Sequence, residues 1–199
     1  LRESKWFVVV AAALYLALVL TTFSKSDPGW SHSTAAAEIR NAGGRVGAWI
    51  ADLLLYLFGL SGWWWVALLA YSVLWGYRRL HASSIGDRRP FVIALSGFAV
   101  LLLASSGLEA LRFYSLKAAL PLAPGGMIGA VVAKALAATF GFTGATLLLF
   151  TLGAVSLSLF SGASWLAVME SLGAALEWLD GQAFEKWHGW QDRKAGEIA

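Results

Sequence analysis

Long apolar stretches alternate with short polar ones along the chain. The hydrocarbon core of a bilayer is about 30 Å thick, so a helix needs about 20 residues to cross it. The first apolar stretch follows Arg2 and Lys5, which also allows a secretory signal peptide, but no small-residue cleavage site comes after it. The pattern predicts four transmembrane helices over residues 6–23, 60–77, 91–108 and 142–160.

Two further apolar stretches are too short to cross a membrane. Residues 46–58 and 127–140 each give about 20 Å of helix. Two glycines precede each stretch and a Gly-x-Ser/Thr-Gly sequence follows it, a density of glycine that ends or kinks a helix. We therefore predict two short outer-leaflet helices, re-entrant or interfacial, each turning into the next span. The structural candidates are the bounding glycines Gly43, Gly44, Gly59, Gly62, Gly125, Gly126, Gly141 and Gly144.

The two short helices belong to an internal repeat with an offset of 82 residues. When residues 43–62 are placed on residues 125–144, nine of the 20 positions are identical without a gap. Each half then consists of a span, an outer loop, a short helix and a second span. The alternative explanation is convergence, in which glycines bound the two short helices in the same way without a duplication. The pattern favours a parallel duplication about an axis along the membrane normal.

The placement of positive charge predicts the orientation of the spans. Arg78, Arg79, Arg88 and Arg89 lie within 12 residues in the connection between the second and third spans. The loops on the opposite side carry three and two Lys or Arg residues over longer stretches. Cytoplasmic loops are enriched in Lys and Arg, so the arginine-rich connection and both termini are predicted to be cytoplasmic.

The C-terminal part has a different pattern from the membrane domain, which we assign to residues 1–163. Residues 164–180 place apolar side chains at spacings of three and four, with Ser164 as N-cap and Gly181 as the stop. That periodicity predicts an amphipathic helix on the cytoplasmic face. Residues 181–199 are polar and of mixed charge, as in a linker that leaves the membrane. Because the chain starts at Leu1 and stops in this tail, we expect it to be a fragment of a longer protein.

The composition supports this class of protein. The 199 residues are 58% apolar and 14% charged, against about 25% charged in soluble domains. That composition excludes a soluble enzyme, a disordered protein and a nucleic-acid-binding domain for most of the chain. The predicted fold class is an all-α membrane protein with four transmembrane helices, arranged as two parallel repeats.

Motifs for catalysis and cofactor binding are missing from the sequence. It contains no cysteine, which excludes disulfides and Cys-ligated metals, and no Gly-x-x-x-x-Gly-Lys-Ser/Thr loop for phosphate. His32, His81 and His188 are isolated in non-membrane segments, and Glu170 with Glu177 fits a solvated helix face. We therefore predict no catalytic, cofactor-binding or metal-binding residue in this chain.

Asp52 and Lys134 are the two ionisable residues inside the apolar segments, and they are equivalent positions of the repeat. A charge inside a membrane is costly and suggests a role. We predict that the two short helices approach each other at the repeat axis and that these side chains pair there, directly or through water. The alternative is that each side chain lies independently at the outer interface.

Several segments together resemble a known family. Residues 26–31 (Ser-Asp-Pro-Gly-Trp-Ser) and 41–52 (Asn-Ala-Gly-Gly-Arg-Val-Gly-Ala-Trp-Ile-Ala-Asp) resemble the outer loop and short helix of the membrane domain of the bacterial FtsK/SpoIIIE DNA translocases. Residues 125–129 and 159–165 resemble later signatures of that domain. The resemblance covers nearly the whole chain in order.

The resemblance implies an anchor in the bacterial cytoplasmic membrane at the division septum. In the full protein a linker, an ATP-driven hexameric motor and a DNA-reading winged helix would follow. ATP and Mg would belong to that motor, so this chain is expected neither to hydrolyse ATP nor to contact nucleic acid. Its expected partners are the lipid bilayer, divisome membrane proteins and further copies of itself.

A small transporter or channel subunit is the rival hypothesis. It needs polar residues converging between the spans, whereas the predicted spans offer mainly Ser, Thr and Gly, which equally serve close helix packing. The predicted spans contain no Asp, Glu, Lys or His, which argues against a proton-coupled or ion-coupled carrier.

Overall fold

The computed structural model describes residues 4–33, 38–81, 89–113, 115, 119–162, 164–165, 169–171, 173–174 and 177–178. In these residues all regular secondary structure is helical. The elements are α1 (Ser4–Thr21), α2 (Gly44–Phe58), a 3-10 helix (Gly59–Trp63), α3 (Trp64–His81), α4 (Arg89–Arg112) and α5 (Gly126–Ser161).

Three helical stretches of the described chain are long and apolar enough to cross a membrane. They are Gly44–Leu74, taken across the 3-10 helix, Phe91–Arg112 and Gly126–Ser161, while Trp6–Thr21 is a shorter apolar helix. The third span was predicted to end at Leu108, but α4 continues to Arg112 and so includes Glu109. That extension corrects the expectation that the spans contain no acidic residue.

The backbone leaves α-helical geometry at two of the predicted glycine breaks. The 3-10 helix Gly59–Trp63 separates α2 from α3, and Gly59 has φ 63° and ψ −139°. Within α5, Gly141 has φ 68° and ψ 172°, so two helices meet there at a kink. Positive φ is strained for residues with a Cβ, which explains glycine at both positions. Nothing places the short helices in the outer leaflet, so that remains a prediction.

The helices pack closely through small residues, as expected where lipid removes the usual hydrophobic driving force between helices. Gly129 on α5 lies against the backbone of Ser106 on α4, and Gly97 on α4 lies against Phe160. An aromatic cluster joins α3, α4 and α5, with ring centroids 5.0–5.5 Å apart. Its members are Trp65, Tyr71, Phe98 and Phe160. Large apolar side chains such as Phe7 and Phe150 remain exposed, as in a bundle that faces lipid.

Several of the sequence predictions fall partly outside the described residues. The backbone of Arg78 and Arg79 lies in α3 and Arg89 begins α4, whereas residues 82–88, including Arg88, are outside. Residues from Gly162 onward form a separate unit. Within it the described residues 165, 169–171, 173–174 and 177–178 are helical. The remaining positions of the predicted amphipathic helix, and residues 181–199, lie outside the description.

We predict that Gly59→Ala destabilises the fold more than Gly141→Ala. Both glycines combine positive φ with extended ψ, a region that residues with a Cβ rarely enter, so each alanine adds about 1–3 kcal/mol of backbone strain. A methyl group at Gly59 would also collide with the backbone of Gly125, whereas the space around Gly141 is open. Thermal unfolding of the detergent-solubilised chain measures the difference, and equal losses in Tm would contradict this account.

Candidate functional site

The side chain of Glu109 joins three separate segments of the chain. It lies on α4, is 9% exposed, and its Oε2 accepts hydrogen bonds from the backbone N–H groups of Leu60 and Gly125, both at 2.9 Å. Its Oε1 accepts the hydroxyl of Ser61, and that hydroxyl oxygen lies 2.7 Å from Oγ of Ser105. Glu109 therefore holds the 3-10 helix, the start of α5 and α4 together.

The helix break explains why a carboxylate is needed at this position. Backbone groups at a helix end lose their intrahelical partners, and the hydrocarbon region has no water to replace them. Glu109 supplies acceptors for the free N–H groups, while Ser106 Oγ donates to the carbonyl of Phe58 at 3.2 Å. One face of α4 thus satisfies both donors and acceptors of the break between α2 and α3.

Arg112, the last residue of α4, contacts α5 just after the kink at Gly141. Its Nε donates to Thr146 Oγ1 at 3.2 Å, and its guanidinium lies 4.5 Å from the ring centroid of Phe142. The end of α4 therefore contacts the first turn of α5 after the kink.

A second buried carboxylate, Asp27, organises the loop between α1 and α2. It is 2% exposed and accepts the backbone N–H groups of Arg40 at 3.0 Å and Asn41 at 2.7 Å. The amide of Asn41 then donates to the carbonyl of Val19 at 2.8 Å, and its oxygen accepts the N–H of Gly43 at 2.9 Å. The loop is therefore fixed both to the end of α1 and to the start of α2.

The third buried carboxylate is Asp52 on α2, which is completely buried. It accepts the backbone N–H of Ser31 at 2.6 Å and the Ser31 hydroxyl at 3.0 Å. His32 Nδ1 lies 2.9 Å from Ser31 Oγ and 3.9 Å from Asp52 Oδ1, while its Nε2 donates to the carbonyl of Lys25 at 3.0 Å. In a hydrolase triad the carboxylate orients the ring nitrogen opposite the nucleophile. Here the Ser31 hydroxyl and the Asp52 carboxylate both face Nδ1 of His32, so the three residues do not have the geometry of a triad. Their hydrogen bonds instead hold the loop against α2.

The structure has no direct ion pair between Asp52 and Lys134, whereas their predicted pairing through water stays a prediction. In the described part of the chain, the basic side chain within 4 Å of the Asp52 carboxylate is His32, whose Nδ1 lies 3.9 Å from Oδ1. Both oxygens of Asp52 are occupied by Ser31, and Lys134 is exposed. The physical reason is that a preceding loop folds over α2 and supplies donors for its buried carboxylate, which the repeat pattern does not reveal.

The candidate glycines differ in what surrounds them. Gly59 contacts Gly125, and Gly126 lies against the backbone of Tyr56 and Leu57, so the end of α2 packs on the start of α5. A Cβ added to Gly43 would contact α1, one added to Gly62 would contact Leu54, and one added to Gly144 would contact Phe140. Gly44 and Gly141 face open space.

Sequence reasoning missed Glu109, Asp27, Asn41 and Ser61. Glu109 carried a usable signal, because it is the one acidic residue of the apolar stretch Phe91–Arg112. The other three lie in polar loops or at a glycine break, where such residues are common and give no specific signal.

These contacts define a class of protein: a multi-pass helical membrane domain in which buried carboxylates hold helix breaks and a loop. Among the described residues, no group of three or more His, Cys, Asp or Glu could hold a metal ion. The oxygens of Glu109 and Asp52 are engaged by donors within the fold, an arrangement suited to holding a structure.

Comparison with known proteins places this domain in a family. Residues 1–173 match the 4TM region of DNA translocase FtsK/SpoIIIE. Among curated proteins, DNA translocase FtsK 2 of Ralstonia nicotianae is 43% identical over 100% of this chain and 26% of that protein. DNA translocase FtsK 1 of Neisseria meningitidis serogroup B is 38% identical over 88% of this chain and 22% of that protein. DNA translocase FtsK of Shewanella oneidensis is 34% identical over 89% of this chain and 19% of that protein.

The chain belongs to the FtsK/SpoIIIE four-transmembrane family, which confirms the resemblance seen in the sequence. It spans about a fifth to a quarter of the length of these three curated relatives. No solved structure gives a significant match to the chain.

We predict that Glu109→Leu destabilises the domain severely and Glu109→Gln less so. Leucine leaves buried N–H groups without an acceptor, each at a cost of about 1–3 kcal/mol. Glutamine keeps one acceptor oxygen and turns the other into a donor. Glu38→Gln changes an exposed carboxylate and is the matched control. Chemical unfolding in detergent measures the series, and equal stability of all variants would contradict the role of Glu109.

We predict no energetic coupling between Asp52 and Lys134. Asp52→Asn should cost about 1–3 kcal/mol, because the Ser31 donors lose a charged acceptor. Lys134→Gln, at an exposed position, should change the free energy of unfolding by less than about 0.5 kcal/mol. In a double-mutant cycle the interaction energy should stay below about 0.5 kcal/mol, and a larger value would restore the pairing.

Proposed function

We propose that this chain is the membrane anchor of a bacterial cell-division DNA translocase and targets that protein to the division septum. The observation that carries the proposal is the match of residues 1–173 to the 4TM region of the family. The relatives that contain this region are about four times as long as the chain. The ATP-dependent motor, its Mg and its DNA contacts would then lie in other parts of the full protein. This chain would supply no catalytic group and touch no nucleic acid.

The proposed orientation puts both termini and the arginine-rich connection in the cytoplasm of an inner-membrane protein. Its support is the density of Arg78, Arg79, Arg88 and Arg89 in one short connection, whereas the two outer loops are longer and less basic. A cytoplasmic C-terminus would place the rest of the translocase on the side where the chromosome lies.

A parallel duplication is proposed for the architecture, and matched backbone details support it. The equivalent residues Gly44 and Gly126 have φ 64° and 60°, and each donates its N–H to the carbonyl three residues earlier at 2.9 Å. Gly47 and Gly129 likewise donate to the carbonyl four residues earlier, at 3.1 and 2.9 Å. Both short helices thus begin with the same turn. The amphipathic helix over residues 164–180 is proposed to follow on the cytoplasmic face.

The proposed partners are divisome membrane proteins and further copies of the same chain. The outer loop is fixed by Asp27 and Asp52, and it leaves Trp30 and Trp49 about half exposed. Exposed aromatic side chains on backbone held by buried carboxylates suit recognition by another protein, because little conformational entropy is lost on binding.

A fusion of green fluorescent protein to the C-terminus of this chain tests localisation and orientation together, because the fluorophore matures in the cytoplasm but not after export in unfolded form. We expect a fluorescent band at the septum of dividing cells. Replacing the four arginines with asparagine should lower total fluorescence by weakening the orientation signal. An unrelated four-span inner-membrane protein, fused in the same way, is the control for uniform distribution.

Uniform fluorescence around the cell, equal to that of the control, would contradict septal targeting and leave the transporter hypothesis. Loss of all fluorescence with the fusion intact in the membrane would instead contradict the cytoplasmic C-terminus.

A further inference from the structure

The two halves of the chain meet at a junction where the end of α2 packs on the start of α5. A Cβ added to Gly126 would lie 2.6 Å from the carbonyl oxygen of Tyr56 and 2.7 Å from the nitrogen of Gly59. A Cβ added to Gly59 would in turn collide with the backbone of Gly125. The junction therefore depends on glycines from both halves, because their missing side chains let the two backbones touch.

The repeat supplies a second example of each of these surfaces. With the offset of 82 residues, Gly126 corresponds to Gly44, and Gly59 corresponds to Gly141. The backbone conformations also agree, since Gly126 and Gly44 have φ of 60° and 64°, while Gly59 and Gly141 have φ of 63° and 68°. The start of α2 and the break in α5 thus have the local shape of the two surfaces that meet inside the chain.

These second surfaces do not meet each other within the chain. Among the described residues, no atom beyond the adjacent backbone lies within 4 Å of a Cβ added to Gly44 or to Gly141. Gly59 and Gly126 are buried, whereas Gly141 is exposed and Gly44 is half-buried. A two-fold axis between the halves would have formed the junction twice. The halves are instead arranged head to tail, which leaves one open surface at each end.

The open surface at Gly141 is unfavourable to leave against lipid. Gly141 interrupts helical geometry inside the apolar helix α5, and Phe140 and Phe142 on either side of it are 53% and 48% exposed. Irregular backbone at membrane depth is tolerated where protein or a water-filled cavity covers it. At the equivalent break, Gly59, the cover is the glycine-led start of the following short helix.

We propose that the break at Gly141 of one copy docks on the start of α2, at Gly44, of a second copy. This contact repeats between chains the junction that Gly59 and Gly126 form within one chain, so it joins copies head to tail. Head-to-tail contacts build a ring when the rotation between copies closes. The inference rests on the proposed duplication and self-association, for which it supplies the surface, and does not depend on septal targeting.

Crosslinking between copies tests this contact, because the chain contains no cysteine of its own. Arg45→Cys and Thr139→Cys, both at exposed positions, are produced together in bacterial membranes with different affinity tags and treated with a short bismaleimide. Their repeat equivalents, Met127 and Leu57, flank the internal junction. The double variant Leu57→Cys/Met127→Cys, within one chain, therefore calibrates the reagent.

We expect crosslinked pairs that carry both tags. Membranes that contain only one of the two variants should give about tenfold less product, because a head-to-tail contact joins unlike surfaces. Val131→Cys in place of Thr139→Cys is the control. It is also exposed on α5 but lies eight residues, or about 12 Å, away from Thr139, so it should give only background.

Gly141→Ala tests the close approach of the two backbones. Its methyl group enters open space in the single chain but would collide with the second copy, so the yield from Arg45→Cys with Thr139→Cys should fall about tenfold. Gly162→Ala is the matched control, because Gly162 has the same φ of 68° and lies outside the junction. It should leave the yield unchanged.

Three results would overturn the proposal. Crosslinks between two Arg45→Cys copies, with none to Thr139→Cys, would show that copies associate through another surface and would leave the self-association intact. Monomers in native mass spectrometry, with no crosslink between copies, would contradict the self-association itself. A crosslink within one chain of Arg45→Cys/Thr139→Cys would show that the two halves close on each other.

Discussion

A helix inside a lipid bilayer can break only where the protein replaces its lost hydrogen bonds, because hydrocarbon offers no water to do so. Glu109 meets this constraint for the break between α2 and α3, through the N–H groups of Leu60 and Gly125. Since the same carboxylate binds the backbone just after α2 and just before α5, the position of α2 relative to α5 depends on it. The buried carboxylates of Asp27 and Asp52 likewise accept backbone N–H groups of the loop between α1 and α2.

This arrangement explains how a chain with so few charged residues uses them. Its buried acidic groups each accept backbone N–H groups, so they fix geometry more than they add stability, since desolvation offsets much of the electrostatic gain. The oxygens of Glu109 and Asp52 are occupied by donors from loops and helix ends. Such occupied groups suit a rigid anchor better than an ion pathway, which needs ligands that can be exchanged.

The sequence was informative wherever a local pattern determines the structure. Hydropathy located the apolar helices, and glycine located the non-helical backbone at Gly59 and Gly141, because left-handed φ is a property of the residue itself. The partners of Asp52 could not be predicted in the same way. Its donors come from Ser31, 21 residues away, through a loop whose path depends on Asp27 and Asn41. Equivalence in the repeat suggested Lys134 instead. For Glu109 the signal was present, but the predicted span ended at Leu108, one residue before it.

The central claim is that the Glu109 carboxylate binds the backbone of both Leu60 and Gly125. Solid-state NMR on the chain in bilayers, with ¹³C in the glutamate side chains and ¹⁵N in leucine and glycine, measures this directly through dipolar couplings between Cδ and amide nitrogen. The account predicts couplings to both nitrogens, consistent with N–O distances of 2.9 Å, that vanish in Glu109→Gln prepared with unlabelled glutamine. Spectra in which neither nitrogen couples to Glu109 would contradict it.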